Sequence, residues 1–429
     1  MSKDCNHFER FKQIKSEIRG SKDYLIVGID IAKDKHYAFF GDANGRTLLK
    51  RLPFANSAEG YRKLIVHTEE KQLKFKLDKV VFGVEPTANY HKPLSEFLIR
   101  NNYQIVLVSN GVAKKNRETL DGRWDKNDMK DSANVADLIS QGKCLYYDQA
   151  LEEIKQLRSL LSLRKKFKKQ EHGMKVRIRN QMVAQYFPEL DSYFSTLEKG
   201  CLSIIEHCFD PKEISSLELM DFISQVTPST PTLGQYNKLR SIWELAPHSI
   251  GCDMNHSAVF EATFSVQELR KTRAGLVMIE KEMKQICEKI PEYTFLLTIP
   301  GFGPIISAQV ISAIGDPNRF SNGKQILKMA GLDLSANRSG KNSLNIIGKI
   351  SKKGKADLRY ALYQAALVAS SRNIDFKAYF NAKLKDRSKE PGIRMKMRIK
   401  LAAKMLIIAW TLMKKKEVFN SDFLVISKK

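Results

Sequence analysis

Between Tyr24 and Lys50 the chain reads YLIVGIDIAKDKHYAFFGDANGRTLLK, a nearly unbroken apolar run followed by two shorter strand-like stretches. A run with no polar alternation marks a strand buried on both faces, so the fold must place layers above and below it. The expected strands are Tyr24 to Ile31, Lys35 to Phe40 and Arg46 to Lys50, with Asn44-Gly45 as a hairpin turn signal. A helix capped by Asn56 should follow. Then come a fourth strand, Lys79 to Val84, leading into Glu85-Pro86-Thr87, another helix, and a fifth strand from Gln104 to Val108. Three antiparallel strands followed by alternating helix and strand is the order of an α/β domain of RNase H-like fold.

The rest of the chain reads as mostly α. Residues 152 to 186 contain no proline and stop at Phe187-Pro188, and Ser265 with Glu268 forms a capping box expected to open another long helix. Along it Leu269, Leu276, Ile279, Met283, Ile286 and Ile290 keep the spacings of a heptad seam. A coiled coil is expected from that seam, either folded back within the chain or shared between copies, with a plain core stripe as the bland alternative. After Pro291 the segment LLTIPGFGPIISAQVISAIGD resembles a helix-hairpin-helix, in which Gly301 and Gly303 let the backbone approach closely and the new helix N-terminus faces a phosphate. A simple interhelical turn is the bland alternative. The expected organisation is an extension over residues 1–23, a catalytic α/β domain over 24–150, a helical coiled-coil linker over 151–290 and a helical C-terminal domain over 291–429.

The 429 residues carry 72 Lys+Arg against 47 Asp+Glu, a formal charge of +25. Residues 155–181, 338–359 and 381–416 hold net charges of +9, +6 and +10, and so account for the whole excess. Three cationic surfaces on an otherwise balanced protein attract polyanions, and nucleic acid is the expected partner. Lys165, Lys166, Lys168 and Lys169 lie in the first segment, and Arg338, Lys341, Lys352, Lys353, Lys355 and Arg359 in the second. Each run taken singly reads equally well as a solvated helix face. The apolar stretch Leu401 to Met413 is broken by Lys404 and is shorter than the roughly 20 residues a membrane span needs, so no membrane is expected. MSKDCNHFERFKQ lacks the apolar core of a signal peptide, and the six cysteines form no CxxC pair. Both point to a cytoplasmic protein, and the expected nucleic-acid partner makes it nucleoid-associated when acting.

Asp30 and Glu85 each end a buried strand, where an acidic side chain is costly without compensation. Asp128 and Asp131, in KNDMKDSA, are three apart and share a helix face. In the expected fold the ends of strands one and four are neighbours and this helix packs beside them. Four converging carboxylates are best relieved by divalent cations, and two Mg²⁺ or Mn²⁺ ions suit phosphodiester chemistry.

GIDIAKDKHY, GVEPTANYH, KNDMKDSANVADLI, TIPGFGPIISAQVISAIGD and ANRSGKN with GKISKKGKADLRYAL together resemble the DEDD transposases of the insertion-sequence-110 group. The resemblance implies a RuvC-like catalytic domain with Asp30, Glu85, Asp128 and Asp131 as the metal-binding tetrad, and a C-terminal transposase domain. It also implies Ser339 as the DNA nucleophile, double-stranded donor and target DNA as substrates, and a structured noncoding guide RNA. A homo-oligomer, dimer or tetramer, is expected to act. Asn127, Ser132, Asn89 and Leu334 depart from the residues usual in the family, and none of them is a proposed catalytic group.

Ser339 sits between Arg338 and Gly340, with Lys341 next. Cations there would neutralise charge developing on a phosphate attacked by a hydroxyl. By its own residues the segment reads first as a phosphate-binding loop, and it is the resemblance that turns the reading toward catalysis; Ser335 and Ser343 are nearby substitutes. Three function classes therefore stand side by side. The leading one is a DNA recombinase; a hydrolytic RuvC-like nuclease of Holliday-junction type and a non-catalytic nucleic-acid-binding protein are the others. An actin-like ATPase also begins with a strand and hairpin, but the second phosphate loop it needs is not evident in the sequence.

Overall fold

The computed structural model describes residues 7–120, 128–147, 150–194, 197–335, 349–384 and 387–424. It divides into two compact units, Met1–Ala150 with Asp316–Gln325, and Leu151–Gly315 with Ile326–Lys429.

The first unit is built on a six-stranded sheet of β1 (Tyr24–Asp30), β2 (Lys35–Asp42), β3 (Thr47–Ala55), β4 (Lys79–Val84), β5 (Gln104–Leu107) and β6 (Leu145–Tyr146), in the order β3-β2-β1-β4-β5-β6. β1 runs antiparallel to β2 and parallel to β4; β5 is parallel to β4, and β6 closes the edge antiparallel. Tyr24 to Ile29 are all buried, as the apolar run requires. Their alternation divides the core. Leu25, Val27 and Ile29 join Phe82 and Val84 beneath Leu64 of helix α2 (Ala58–Phe75) and Leu94 of α3 (His91–Arg100). Tyr24 and Ile26 join Val81 and Val106 on the other face. There they meet Ile18 of α1 (His7–Ile18), Ala113 of α4 (Asn110–Leu120) and Val135 and Ile139 of α5 (Asp128–Ser140).

Two local expectations need correction. Ser57, not Asn56, caps α2 by accepting the Gly60 N–H at 3.2 Å, while Asn56 reaches back to the Lys33 carbonyl and takes the Tyr61 hydroxyl. The edge strand β6 was absent from the expected set, since two residues leave no periodicity to read.

The second unit is helical among its described residues, apart from a two-stranded pair, β7 (Leu334–Ser335) with β8 (Lys349–Ile350). α6 (Glu152–Arg177) continues into a π-helical stretch, Ile178–Val183, and packs along α7 (His256–Glu288). Arg164 pairs with Glu280 at 2.7 Å and Arg177 with Glu261 at 2.6 Å, so the two helices run antiparallel. Leu269, Leu276, Ile279 and Met283 are buried in this arrangement, and Gly275 lets the Phe167 ring against the α7 backbone. The heptad seam is thus occupied within the chain. α7 opens at Asn255, which accepts the Ala258 N–H at 2.9 Å, ten residues ahead of the expected cap Ser265. Ser265 is buried in mid-helix because Ala258, Ala262 and Val266 already carry the apolar stripe upstream of it.

Beyond α7 come α8 (Glu292–Leu297), α9 (Pro304–Ile314), α10 (Gly323–Ala330), α11 (Ala356–Arg372), α12 (Ile374–Leu384) and α13 (Ile393–Lys415). Among the described residues no helix is long and apolar enough to cross a membrane.

Candidate active site

Two glycines set the depth of the site. Gly28 and Gly83 face each other across β1 and β4, and a Cβ on Gly28 would lie 2.3 Å from the Ser132 carbonyl and 2.5 Å from the Ala136 nitrogen. A Cβ on Gly83 would meet Ile139 at 2.0 Å. The pair forms a shallow trough that seats the α5 backbone directly on the sheet. Two residues further along each strand, on the same face, stand Asp30 and Glu85. Ile29 is level with Val84, and continuing that register one step puts the two acids side by side, about 4.8 Å apart between strand axes. Both are half-buried.

α5 crosses this face of the sheet, with Ser132 over Gly28 and Ile139 over Gly83, and Asp131 lies in its first turn. Asp131 is 2% exposed and lies 2.7 Å from the Arg117 Nε on α4, an ionic contact outside hydrogen-bond angle. Asp128 opens α5, and its side chain lies outside the described residues. Asn116 ties the two helices together, donating to Asn134 Oδ1 and Asp137 Oδ2 at 2.8 Å each. Tyr37 is level with Asp30 on β2, with the Arg51 guanidinium 4.6 Å above its ring. After β4 the chain bends through Ala88, at φ 45°, into α3, whose first residue His91 is nearly enclosed. Burial, then the charge of Lys92, pushes the His91 imidazole below its ordinary range.

Among the described residues no three His, Cys, Asp or Glu side chains come together closely enough to hold an ion. The donor chemistry of Asp30, Glu85 and Asp131 nevertheless fits a hard divalent cation, because all three offer carboxylate oxygens. Arg117, Gly28, Gly83 and Tyr37 were not singled out from the sequence. The glycines were legible in principle, each lying two residues before a strand-end acid; Arg117 was not, because its partner is fourteen positions away on another helix.

The arrangement belongs with two family matches. Residues 27–188 match a DEDD domain of the IS110 group described as a transposase, and residues 293–381 match the "Transposase IS116/IS110/IS902 family". The chain belongs to the IS110 transposase family. A 44.8 kDa protein of the insertion element IS116 from Streptomyces clavuligerus is 22% identical over 409 residues, 93% of this chain and 96% of its own. The pilin gene-inverting proteins of Moraxella bovis and Moraxella lacunata are each 22% identical over 167 residues, 38% of this chain and 51% of theirs. The family match takes in Asp30, Glu85, Asp128 and Asp131 in its first part and the helical turn at Gly301 in its second.

In the second unit Gly301 adopts φ +87°, and a Cβ there would lie 2.5 Å from the Ala365 carbonyl on α11. The PGFG turn joining α8 to α9 is therefore packed against α11. Gly303 is the N-cap of α9 and is open to solvent. The expected basic residues divide by what they touch. Lys355 donates to the Ala313 carbonyl at 2.8 Å, and Arg359 to the Ala330 and Gly354 carbonyls at 2.9 and 3.1 Å. Lys165 pairs with Asp357 at 2.8 Å and Lys168 with Glu171 at 2.9 Å. Lys166, Lys169, Lys352 and Lys353 are exposed. Arg338, Ser339, Lys341 and Ser343 lie outside the described residues, in the segment between β7 and β8.

Proposed function

We propose that the chain is a metal-dependent DNA recombinase of an insertion sequence, with an RNase H-like first unit and Ser339 as its nucleophile. The observation that carries this reading is the placement of Asp30 and Glu85 at adjacent parallel strand ends, on the face of the sheet over which α5, the helix that contains Asp131, packs. Asp30, Glu85, Asp128 and Asp131 would hold Mg²⁺ or Mn²⁺, in a pair by the resemblance. Such ions neutralise charge on a phosphodiester under attack and lower the barrier to displacing its bridging oxygen.

The protein's own groups do the rest. The Ser339 hydroxyl bonds to phosphorus and gives up its proton, the bridging P–O bond breaks, and the leaving deoxyribose oxygen is protonated. The phosphodiester energy is kept in a serine–DNA link, which a second deoxyribose hydroxyl displaces to join the exchanged strand. Strand exchange with no external energy source favours this route over hydrolysis. A structured RNA encoded beside the gene, as the family resemblance suggests, would choose donor and target, and a dimer or tetramer would hold the two DNAs. The Moraxella relatives are named for inverting a gene, which accords with recombination.

The test is a denaturant-resistant protein–DNA adduct that forms with Mg²⁺. It should vanish in Ser339→Ala and in Asp30→Asn, with DNA binding retained, and persist in Ser335→Ala and Ser343→Ala. Cleavage by the unaltered protein with no adduct would make it a hydrolytic nuclease instead.

A further inference from the structure

The second unit contains a cleft of about 810 Å³ between α6, the C-terminal turn of α9 and the N-terminal turn of α11. Arg158, Arg164, Lys165, Lys168 and Lys355 line it, against Asp357 alone of the acids among its lining residues. Two of these cations are fixed in place: Arg158 donates to the Ser312 carbonyl and Lys355 to the Ala313 carbonyl, each at 2.8 Å. Lys165 is held differently. Its partner is Asp357 at 2.8 Å, and the two side chains are 69% and 67% exposed, a kind of pair that contributes little and opens readily. A phosphate offers the same ammonium more charge and more acceptor oxygens.

Tyr360, one helical turn beyond Asp357, lines the same cleft and is 66% exposed. A solvated ring beside a row of cations suits a base stacked over a tracked backbone, and a base offers its face only when its strand is unpaired. The cleft also adjoins the root of the segment that holds Ser339. β7 and β8 pair at that root, the Lys355 N–H bonds the Met329 carbonyl at 3.0 Å, and Arg359 bonds the Ala330 carbonyl at 2.9 Å.

We propose that this cleft holds the backbone of a single DNA strand. Lys165 exchanges Asp357 for a phosphate, and Tyr360 stacks on a base. The inference rests on the recombinase reading, but its test does not use cleavage. Binding of a labelled single-stranded DNA oligonucleotide to the full-length protein is followed by fluorescence anisotropy in excess chelator. Tyr360→Ala should weaken binding about tenfold or more while Tyr360→Phe keeps it. Lys165→Gln should lower the slope of log K against log salt by about one. Asp357→Asn should tighten binding more than Asp375→Asn, which makes the same charge change in the first turn of α12. Ser339→Ala should bind as the unaltered protein does, so a cleavage defect and a cleft defect remain separable. Equal affinities for Tyr360→Ala and the unaltered protein, equal gains for the two Asp→Asn variants, or tighter binding of an RNA of the same sequence would each overturn the proposal.

Discussion

Enclosing an ionised carboxylate as completely as Asp131 is costly unless opposite charge stands close, and the Arg117 guanidinium at 2.7 Å supplies it. The two residues sit on different helices, so the ion pair also fixes how α4 lies against α5. Replacing Arg117 by leucine should destabilise the protein by about 3 kcal/mol in metal-free buffer, read from urea denaturation. If Asp131 belongs to the metal set, Mg²⁺ supplies the missing charge and raises the melting temperature of Arg117→Leu more than that of the unaltered protein. Equal shifts in both proteins would remove Asp131 from that set.

At the scale of elements, the seat of α5 on the sheet is decided by what is missing. The Gly28 trough has no room for a methyl group, so Gly28→Ala must lift α5 or shift β1. The expected cost is about 1–3 kcal/mol by denaturation, with strand cleavage lost and DNA binding kept. Full cleavage would mean that the position of α5 does not matter to the chemistry. The α6–α7 hairpin carries a different constraint. Burial pushes the Glu171 carboxyl up, but hydrogen bonds from Lys168 and Lys175 outweigh it and bring it from 4.5 down to about 2. A carboxyl depressed in the folded state stabilises fully above its unfolded value, and that contribution fades as pH falls from about 4.5 toward 2. Glu171→Gln should therefore lose about 1 kcal/mol at neutral pH, the half-exposed lysines being screened by solvent, and show a flatter stability profile across that window, measured by denaturant midpoints at each pH. Elements of this kind were legible in unequal degree. β4 stands at the bounds read from the sequence, because Lys79 to Val84 is apolar and bracketed by turns. The start of α7 was not, because Ser265 and Glu268 satisfy a capping pattern in a stretch where tertiary burial of Ala258 and Ala262 has already set the helix going. Asp30 and Glu85 were visible as acids ending apolar runs, whereas the counter-charge on Asp131 depends on packing between helices that no local pattern encodes.

Across the whole molecule, the +25 charge is distributed less freely than its sequence runs suggest. Lys165 and Lys168 pair with acids and Lys355 and Arg359 with carbonyls, while Lys166 and Lys169 point into solvent from α6. Nucleic-acid affinity should fall steeply with salt, and the double change Lys166→Gln and Lys169→Gln should reduce the slope of log K against log salt by about two. An unchanged slope would make that helix face a solvated surface and nothing more. The division into units has a further consequence. Residues Asp316–Gln325 belong with the first unit although Leu151–Gly315 of the second precedes them and Ile326–Lys429 follows, and the turn Pro317–Arg319 packs beside α1. A gene copy interrupted by a frameshift after residue 150 would encode every strand of the sheet and both strand-end acids, yet not the piece of chain that completes their unit. Decay of such a copy should leave an insoluble remnant, not a small working nuclease.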